Sequence, residues 1–351
     1  MKILFGVQAT GNGHVSRSRE VVRHLKDFGH DIHVLFSGRN PARLTELEIF
    51  EPYRILHGLT FRTRRGRLRI LETALNLNLV RFYSEIRSVD ASGYDLVITD
   101  FEPITARLAK HCKIPSIAFG HQYAFLYRIP VAGVYPLSRW IIRNFARADY
   151  AVGLHWYHFG HPILPPIVPD TLRPEAPAVA GKILVYLPFE HPADVEGLLK
   201  PLTSHQFYIY GSGDIERGMD RGHLHFRPYS RRGFLQDLEQ CHGVVCNAGF
   251  ELLSEALHIG KKLLVKPLVG QMEQMSNALA VSRLKLGMVM TSLNRARVER
   301  WLAGSGMPCM GYPVVARLIA EWIHRGNWGS VDRLAIDAWK QTRGLDHLAF
   351  P

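Results

Sequence analysis

Two hydrophobic patterns alternate along the first half of the chain: short unbroken apolar runs, and longer stretches with apolar residues three or four apart. Lys2-Ile3-Leu4-Phe5-Gly6-Val7 is a run of the first kind, and Thr10-Gly11-Asn12-Gly13-His14 breaks it. Ser16 to Phe28 carries helical spacing through Val21, Val22, Leu25 and Phe28, and Gly29-His30 stops it before the run Asp31-Ile32-His33-Val34-Leu35-Phe36. Strand, helix and strand in that order predict a βαβ unit. Apolar runs at 94–99 and 115–119, with a helical stretch at 103–112 between them, continue the alternation. They predict a parallel sheet with helices on both faces.

Between 155 and 177 the pattern lapses. Pro162, Pro165, Pro166, Pro169, Pro174 and Pro177 predict a stiff connector, placed at 166–180. Gly181 to Leu187 then opens a second βα series, with strands expected at 206–210, 243–246, 263–266 and 288–290. The expectation is two doubly wound domains, 1–165 and 181–330. Helical spacing over 331–343 predicts a last helix, within about 331–351, that packs back across the junction.

The length of 351 residues suits two domains, and 47% hydrophobic with 21% charged residues excludes disorder, collagen and coiled coil. Cys112, Cys241, Cys246 and Cys309 show no CxxC spacing, so neither a disulfide framework nor a zinc site is indicated. No stretch is long and apolar enough for a membrane span, and the opening apolar run is too short for a signal peptide, so a cytoplasmic location is expected. The net charge of +12 is uneven: residues 1–165 hold 22 basic and 13 acidic side chains, so most of the excess lies there. An anionic partner is therefore expected on the N-terminal half.

Ligands of doubly wound sheets bind beyond the carboxyl ends of the strands, which directs attention to three loops. The first carries Gly11, Asn12, Gly13 and His14, where glycines let backbone N–H groups approach a phosphate or sugar. The second carries Asp100 and Glu102, two carboxylates at a strand's end; Asp100 is also suited to capping the next helix, with Pro103 in its first turn. The third carries His121. Histidine and carboxylates together offer general acid–base chemistry. In the second half, Cys246-Asn247-Ala248-Gly249 leads from a strand into a helix expected from Phe250, whose free N–H groups point at whatever binds there. Glu251 and Glu255 fall one turn apart on the same helix face, with Leu252, Leu253, Ala256 and Leu257 as its buried stripe.

Asn247-Ala248-Gly249, Ser254-Glu255-Ala256, Gly260, Pro267, Gln271, Gln274 and Asn277-Ala278, in that order, resemble the donor-nucleotide signature of GT-B glycosyltransferases, particularly MurG-like enzymes of the family 28 or family 1 type. Gly11-Asn12-Gly13-His14, with Arg17, Gly29-His30-Asp31 and Ser37-Gly38-Arg39, resembles the glycine-rich loop and histidine of their acceptor domain. The chain departs from the plant-type signature, which has a histidine near Asn247. The resemblance implies a GT-B architecture, two Rossmann-like parallel-sheet domains facing across a cleft. It implies a glycosyltransferase of the hexosyltransferase type that moves a sugar from a nucleotide-sugar donor, a UDP-sugar, to an acceptor hydroxyl by inversion.

On that resemblance the backbone at Gly249, Phe250 and Glu251 holds the diphosphate and Glu255 the ribose hydroxyls. Gln271, Gln274 and Asn277 contact sugar or phosphates, the segment from Phe226 to Tyr229 reads the base, and the Gly211-Ser212-Gly213 loop lines the cleft. No cofactor is expected: the donor is a substrate, and no DxD-like metal motif sits in a cleft loop. His14 is the first choice of base, oriented by Asp100 or Glu102; alternatively one of those carboxylates, or His121, is the base itself.

Arg62, Arg64, Arg65, Arg67 and Arg69 precede an apolar helical stretch, a pattern of membrane-surface elements. A second such stretch surrounds Trp140. These features suggest a glycan or lipid-linked acceptor, an anionic membrane surface as partner, and a peripheral position on the inner face of the cell membrane. Three rivals stay open. A nucleotide-sugar epimerase would share the fold. An NAD(P)-dependent oxidoreductase would use the first loop, although Ser16 replaces its third glycine. A nucleic-acid-binding protein would explain the charge, but the basic run lacks interleaved stacking aromatics, so no nucleic acid is expected.

Overall fold

The computed structural model of the chain describes residues 1–38, 46–59, 63–64, 67–68, 78–133, 136–174, 177–211, 217–228, 230–306 and 309–347. The first half runs β1 (Lys2–Gln8), α1 (Asn12–Asp27), β2 (Asp31–Ser37), β3 (Tyr53–Leu56), a hairpin of β4 (Thr63–Arg64) and β5 (Arg67–Leu68), and α2 (Leu79–Arg87). It continues with β6 (Leu96–Asp100), α3 (Pro103–Cys112), β7 (Ser116–Gly120), α4 (His121–Ala124), α5 (Pro136–Asn144), β8 (Tyr150–Leu154) and β9 (Ile163–Leu164). The second half holds β10 (Lys182–Tyr186), α6 (Pro192–Leu199), β11 (Gln206–Tyr210), β12 (Met219–Arg221), β13 (Leu224–Phe226), α7 (Arg231–Gln240) and β14 (Gly243–Asn247). After these come α8 (Phe250–His258), β15 (Lys262–Lys266), α9 (Met272–Arg283), β16 (Met288–Val289), α10 (Arg295–Ala303), α11 (Val315–His324) and α12 (Val331–Lys340).

Two seven-stranded sheets result. The first has the order β3-β2-β1-β6-β7-β8-β9 and is parallel throughout. The second has the order β12-β13-β11-β10-β14-β15-β16 and is parallel except for the β12–β13 pair. The central strands are unbroken apolar runs because helices cover both faces. β1 lies beside β6, but the chain leaves β1 toward β2 on one side and β6 toward β7 on the other, which opens a crevice at their carboxyl ends. The pairing Val7 to Asp100 sets Asp100 at that rim. β10, between β11 and β14, makes the equivalent crevice in the second sheet.

α1 starts at Asn12, four residues before the apolar spacing begins, so His14 and Arg17 sit on its first turns rather than in a loop. Their i, i+3 spacing puts them on one face. The cap of α3 is Glu102, not Asp100: its carboxylate accepts from the backbone N–H groups of Ile104 at 2.9 Å and Thr105 at 2.6 Å. Part of the proline-rich stretch is packed, with Ile163 paired to Gly153 on β8, and Ile167, Val168 and Leu172 buried.

The last two helices lie on the first half. α11 packs along α1, where the His324 ring stacks on Phe28 at 5.0 Å, and Trp339 of α12 donates its indole N–H to the Ile163 carbonyl. One buried apolar cluster takes in Val21 and Leu25 of α1, Phe250 and Leu253 of α8, and Ile319 and Ile323 of α11. Among the described residues no helix is long and apolar enough to cross a membrane.

Candidate active site

The crevice of the first sheet faces the N-terminus of α8, and a polar network joins the two. His14 Nδ1 lies 2.8 Å from Asp100 Oδ1. Arg17 grips the same carboxylate twice, through Nε to Oδ2 at 2.8 Å and through Nη2 to Oδ1, and Ser18 donates to Oδ2 at 2.9 Å. Arg17 Nη2 also reaches Gln122 Oε1 at 3.2 Å, while Nη1 crosses the cleft to Glu251 Oε1 in the first turn of α8. Asp100 is completely buried; burial opposes its ionisation, but Arg17 and His14 outweigh that and hold its carboxyl below the usual range. Burial likewise opposes the charge on Arg17, and Asp100 and Glu251 more than restore it.

Nη2 of Arg17 also lies 2.7 Å from His14 Nδ1, which would favour a bare nitrogen there. The two hydrogens of Nη2 are used on Asp100 and Gln122, however, and a carboxylate only accepts, so Nδ1 carries the proton and donates it to Asp100. The lone pair of His14 is then on Nε2, on a side chain that remains partly accessible.

Across the cleft, Gly249 is the N-cap of α8 and no side chain caps its first N–H groups. A Cβ added at Gly249 would meet nothing within 4 Å, so the helix end opens onto free space. One turn on, Glu255 is buried; desolvation pushes its carboxyl up to about 7, against the pull of Arg231 and of a hydrogen bond from Ser16, while Glu251 and Glu20 add to the rise. Arg231, the first residue of α7, donates to the Ser16 hydroxyl at 2.7 Å and approaches Glu20 at 3.4 Å. Ser16, Glu20, Arg231 and Glu255 thus form a second bridge between the two halves.

The remaining expected residues divide. His121 is completely buried against Phe250, its ring stacked on the Phe250 ring at 4.0 Å, with Nδ1 on the Leu154 carbonyl at 2.9 Å and Nε2 on Asn277 Oδ1 at 2.6 Å. Burial lowers its pKa, and both ring nitrogens face protein oxygens, of Leu154 and Asn277, so the ring sits as a tie between the halves. Glu102 is equally occupied: besides its capping bonds it accepts from Ser37 Oγ at 2.6 Å and Thr105 Oγ1 at 2.8 Å, and burial raises its pKa. Its oxygens meet no contact with His14. Asn277 also donates to the Ala248 carbonyl at 2.9 Å, which braces the turn into α8. Gln271 caps α9 through the Gln274 N–H, and Gln274 Oε1 accepts from Leu268 N at 3.0 Å, so both side chains hold their own turn. Gly211 ends β11 at φ +77° beside Pro188 and Tyr186. Gly11 is the extended N-cap of α1, with Asn12 its first residue. Tyr229, Arg62, Arg65 and Arg69, with Ser212, Gly213 and Arg39, lie outside the described residues; Arg64 and Arg67 fall on β4 and β5.

Sequence reading passed over Arg231, Glu20, Gln122 and Glu273. Gln122 Nε2 donates to Glu273 across the cleft at 3.1 Å. The signal available for Arg231 was Ser230, which caps α7 and so fixes where that side chain starts. Among the described residues no cluster of three or more His, Cys, Asp or Glu side chains is disposed to hold a metal.

Two doubly wound sheets meeting across a crevice, with the second sheet's Gly-capped helix pointing into it, define a GT-B glycosyltransferase architecture. The chain belongs to glycosyl transferase family 1, whose family model matches residues 1–305. It is an enzyme that transfers a sugar. Similar solved structures include the glycotransferase of kitacinnamycin (16% identity, 97% of this chain and 98% of that chain covered, TM-score 0.61). Another is the glycosyltransferase SnogD from Streptomyces nogalater (17%, 97% and 98%, TM-score 0.55). A third is Arabidopsis thaliana UGT89C1 complexed with UDP-L-rhamnose (14%, 96% and 97%, TM-score 0.58). At these identities the likeness is one of fold. No curated protein matches the chain in sequence.

Proposed function

We propose that this glycosyltransferase takes its sugar from a UDP-sugar and transfers it to an acceptor hydroxyl by a single inverting displacement with His14 as general base. The observation that carries the reading is the His14–Asp100 pair, 2.8 Å apart, with Asp100 locked by Arg17 and Ser18. Nε2 takes the acceptor's proton as its oxygen attacks the anomeric carbon. The bond from that carbon to the diphosphate oxygen breaks, and its electron pair leaves with the nucleoside diphosphate. Asp100 keeps the imidazole in the right tautomer and faces the imidazolium that forms.

The open, uncapped end of α8 supports the diphosphate's place there, because free helix N–H groups meet the charge that develops on the leaving group. The donor set at that end is N–H groups and an arginine, which suits a reaction without a metal. Glu255 is assigned to the ribose hydroxyls, and the base is assigned to the segment ending at Tyr229. UGT89C1, of the same fold, is complexed with UDP-L-rhamnose, which supports uracil as the base. Full engagement of Asp100 and Glu102 leaves neither free as a nucleophile, which favours inversion.

The acceptor is placed on the basic N-terminal half, as a lipid-linked or glycan hydroxyl presented at an anionic membrane. The exposed Val80 on α2 and Trp140 on α5 support this. A thermal-shift panel of UDP, GDP, TDP and NAD tests the donor reading: UDP raises Tm most, since a ligand at about 100 times its Kd adds about 2.7 kcal/mol. Stabilisation by NAD alone overturns it.

A further inference from the structure

We propose that Arg17 is a catalytic residue: when the nucleotide sugar binds, its Nη1 exchanges Glu251 for the diphosphate and carries the charge of the leaving group. The inference deepens the donor reading above and rests on the diphosphate binding at α8. The Nε–Nη2 edge of the guanidinium is fixed in the first half by Asp100 and Gln122, leaving Nη1 as the end that crosses the cleft. Two glycines make the close approach: a Cβ at Gly120 would stand 2.9 Å from Arg17 Nη2, and one at Gly13 2.5 Å from Glu251 Oε2. A cation is thereby delivered from one half to the helix end of the other.

Glu251 now sits where an anion is favoured, at the first turn of α8 and on an arginine. A diphosphate brought to the same helix end repels that carboxylate and competes for the same N–H. Glu251, with part of its side chain still accessible, is able to turn outward into solvent. Asp100 has no such exit, so the buried edge of Arg17 stays in place. In the reaction the anomeric C–O bond breaks onto the phosphate oxygen, Nη1–H donates to the phosphate that gains this charge, and the acceptor's proton goes to His14 Nε2. Arg17 itself neither gains nor loses a proton, and Asp100 lies against both it and the new imidazolium.

The test is calorimetric titration of UDP and UMP into full-length wild type, Arg17→Gln, Arg17→Lys and Glu251→Gln, or of the corresponding guanosine or thymidine pair if the thermal panel selects that base. UMP keeps the base, ribose and first phosphate, so the ratio of the two Kd values isolates the second phosphate. The ratio in favour of UDP is expected to fall about ten-fold or more in Arg17→Gln and less in Arg17→Lys, as for a lost charge-assisted hydrogen bond, and to rise in Glu251→Gln. An unchanged ratio in Arg17→Gln, or no rise in Glu251→Gln, overturns the inference while leaving the donor reading intact. If Arg17→Gln does not fold, Glu251→Gln decides alone. Wild type that binds neither nucleotide overturns the donor reading and this inference with it.

Discussion

At the scale of single residues, chemistry is assigned by what each polar atom already touches. His14 and Glu102 are both near a strand's carboxyl end, yet only His14 keeps a ring nitrogen for substrate, while the Glu102 oxygens serve Ser37, Ile104 and Thr105. His14→Ala is therefore expected to lower kcat about 10²- to 10⁴-fold with little change in donor affinity, measured by steady-state kinetics beside donor titration. Glu102→Ala behaves in the opposite way: it costs about 1–3 kcal/mol of stability by orphaning buried donors, and the folded fraction retains its kcat. A larger kcat loss in Glu102→Ala than in His14→Ala would return the base role to the carboxylate.

Glu255 gives a pH signature. Its folded carboxyl titrates near 7 against an ordinary 4.5, so the folded state holds the proton more tightly than the unfolded chain. The stabilisation from its neutral form is complete below the unfolded value and is lost as pH rises through about 7. Glu255→Gln, which cannot ionise, should then melt above wild type at pH 8 and level with it near pH 5, by calorimetry or thermal shift. An offset independent of pH would refute burial as the cause.

At the scale of elements, the site depends on strands and helices approaching more closely than their side chains normally permit. α4 crosses β8 at Gly153, where a Cβ would lie 2.8 Å from both the backbone N and Cα of Ala124. Backbone cannot step aside as a flexible side chain does, so Gly153→Ala is expected to cost about 1–3 kcal/mol and to move His121 away from Phe250. Urea unfolding with nucleotide titration checks both parts; unaltered stability would show that the backbone relaxes freely. The early start of α1 has a similar origin. Gly11-Asn12-Gly13 has low helix propensity, but packing against α8 requires a helical turn without a side chain at Gly13, and tertiary contact overrides propensity.

At the scale of the whole molecule, polar bridges and an apolar cluster join the two sheets. His121 with Asn277, Gln122 with Glu273, and Arg231 with Ser16 each join opposite halves. α11 and α12 lie beyond the 1–305 span of the family match and still cover α1 and β9, so the C-terminal segment braces the half that carries His14. The net charge of +12 also belongs to this scale. Co-sedimentation with anionic liposomes should fall by most of its value when Arg62, Arg64, Arg65, Arg67 and Arg69 are replaced together, and at raised salt, with about 1 kcal/mol per arginine near the surface. Binding unaffected by the replacement counts against a membrane role for the arginine run.

The apolar runs by themselves determined two parallel-sheet halves and the strands at the centre of each, because strands buried on two faces leave a plain pattern; β3, β8, β9, β12 and β13, and the strand order that opens crevices above β1 and β10, came from the tertiary structure. The Gly249-capped helix start and Glu255 were legible for the same reason: their neighbours in sequence define a strand end and a helix face. What lay beyond the sequence was every relation between the halves. Arg17 is 83 residues from Asp100 and 234 from Glu251, and no local pattern records that its guanidinium serves both. Asn277 entered by resemblance and His121 by its loop, and only the fold shows the two bonded to each other across the halves, with the His121 ring stacked on Phe250. Local periodicity follows from each segment's own burial, whereas the protonation and role of a polar group follow from partners that the fold alone brings within 3 Å.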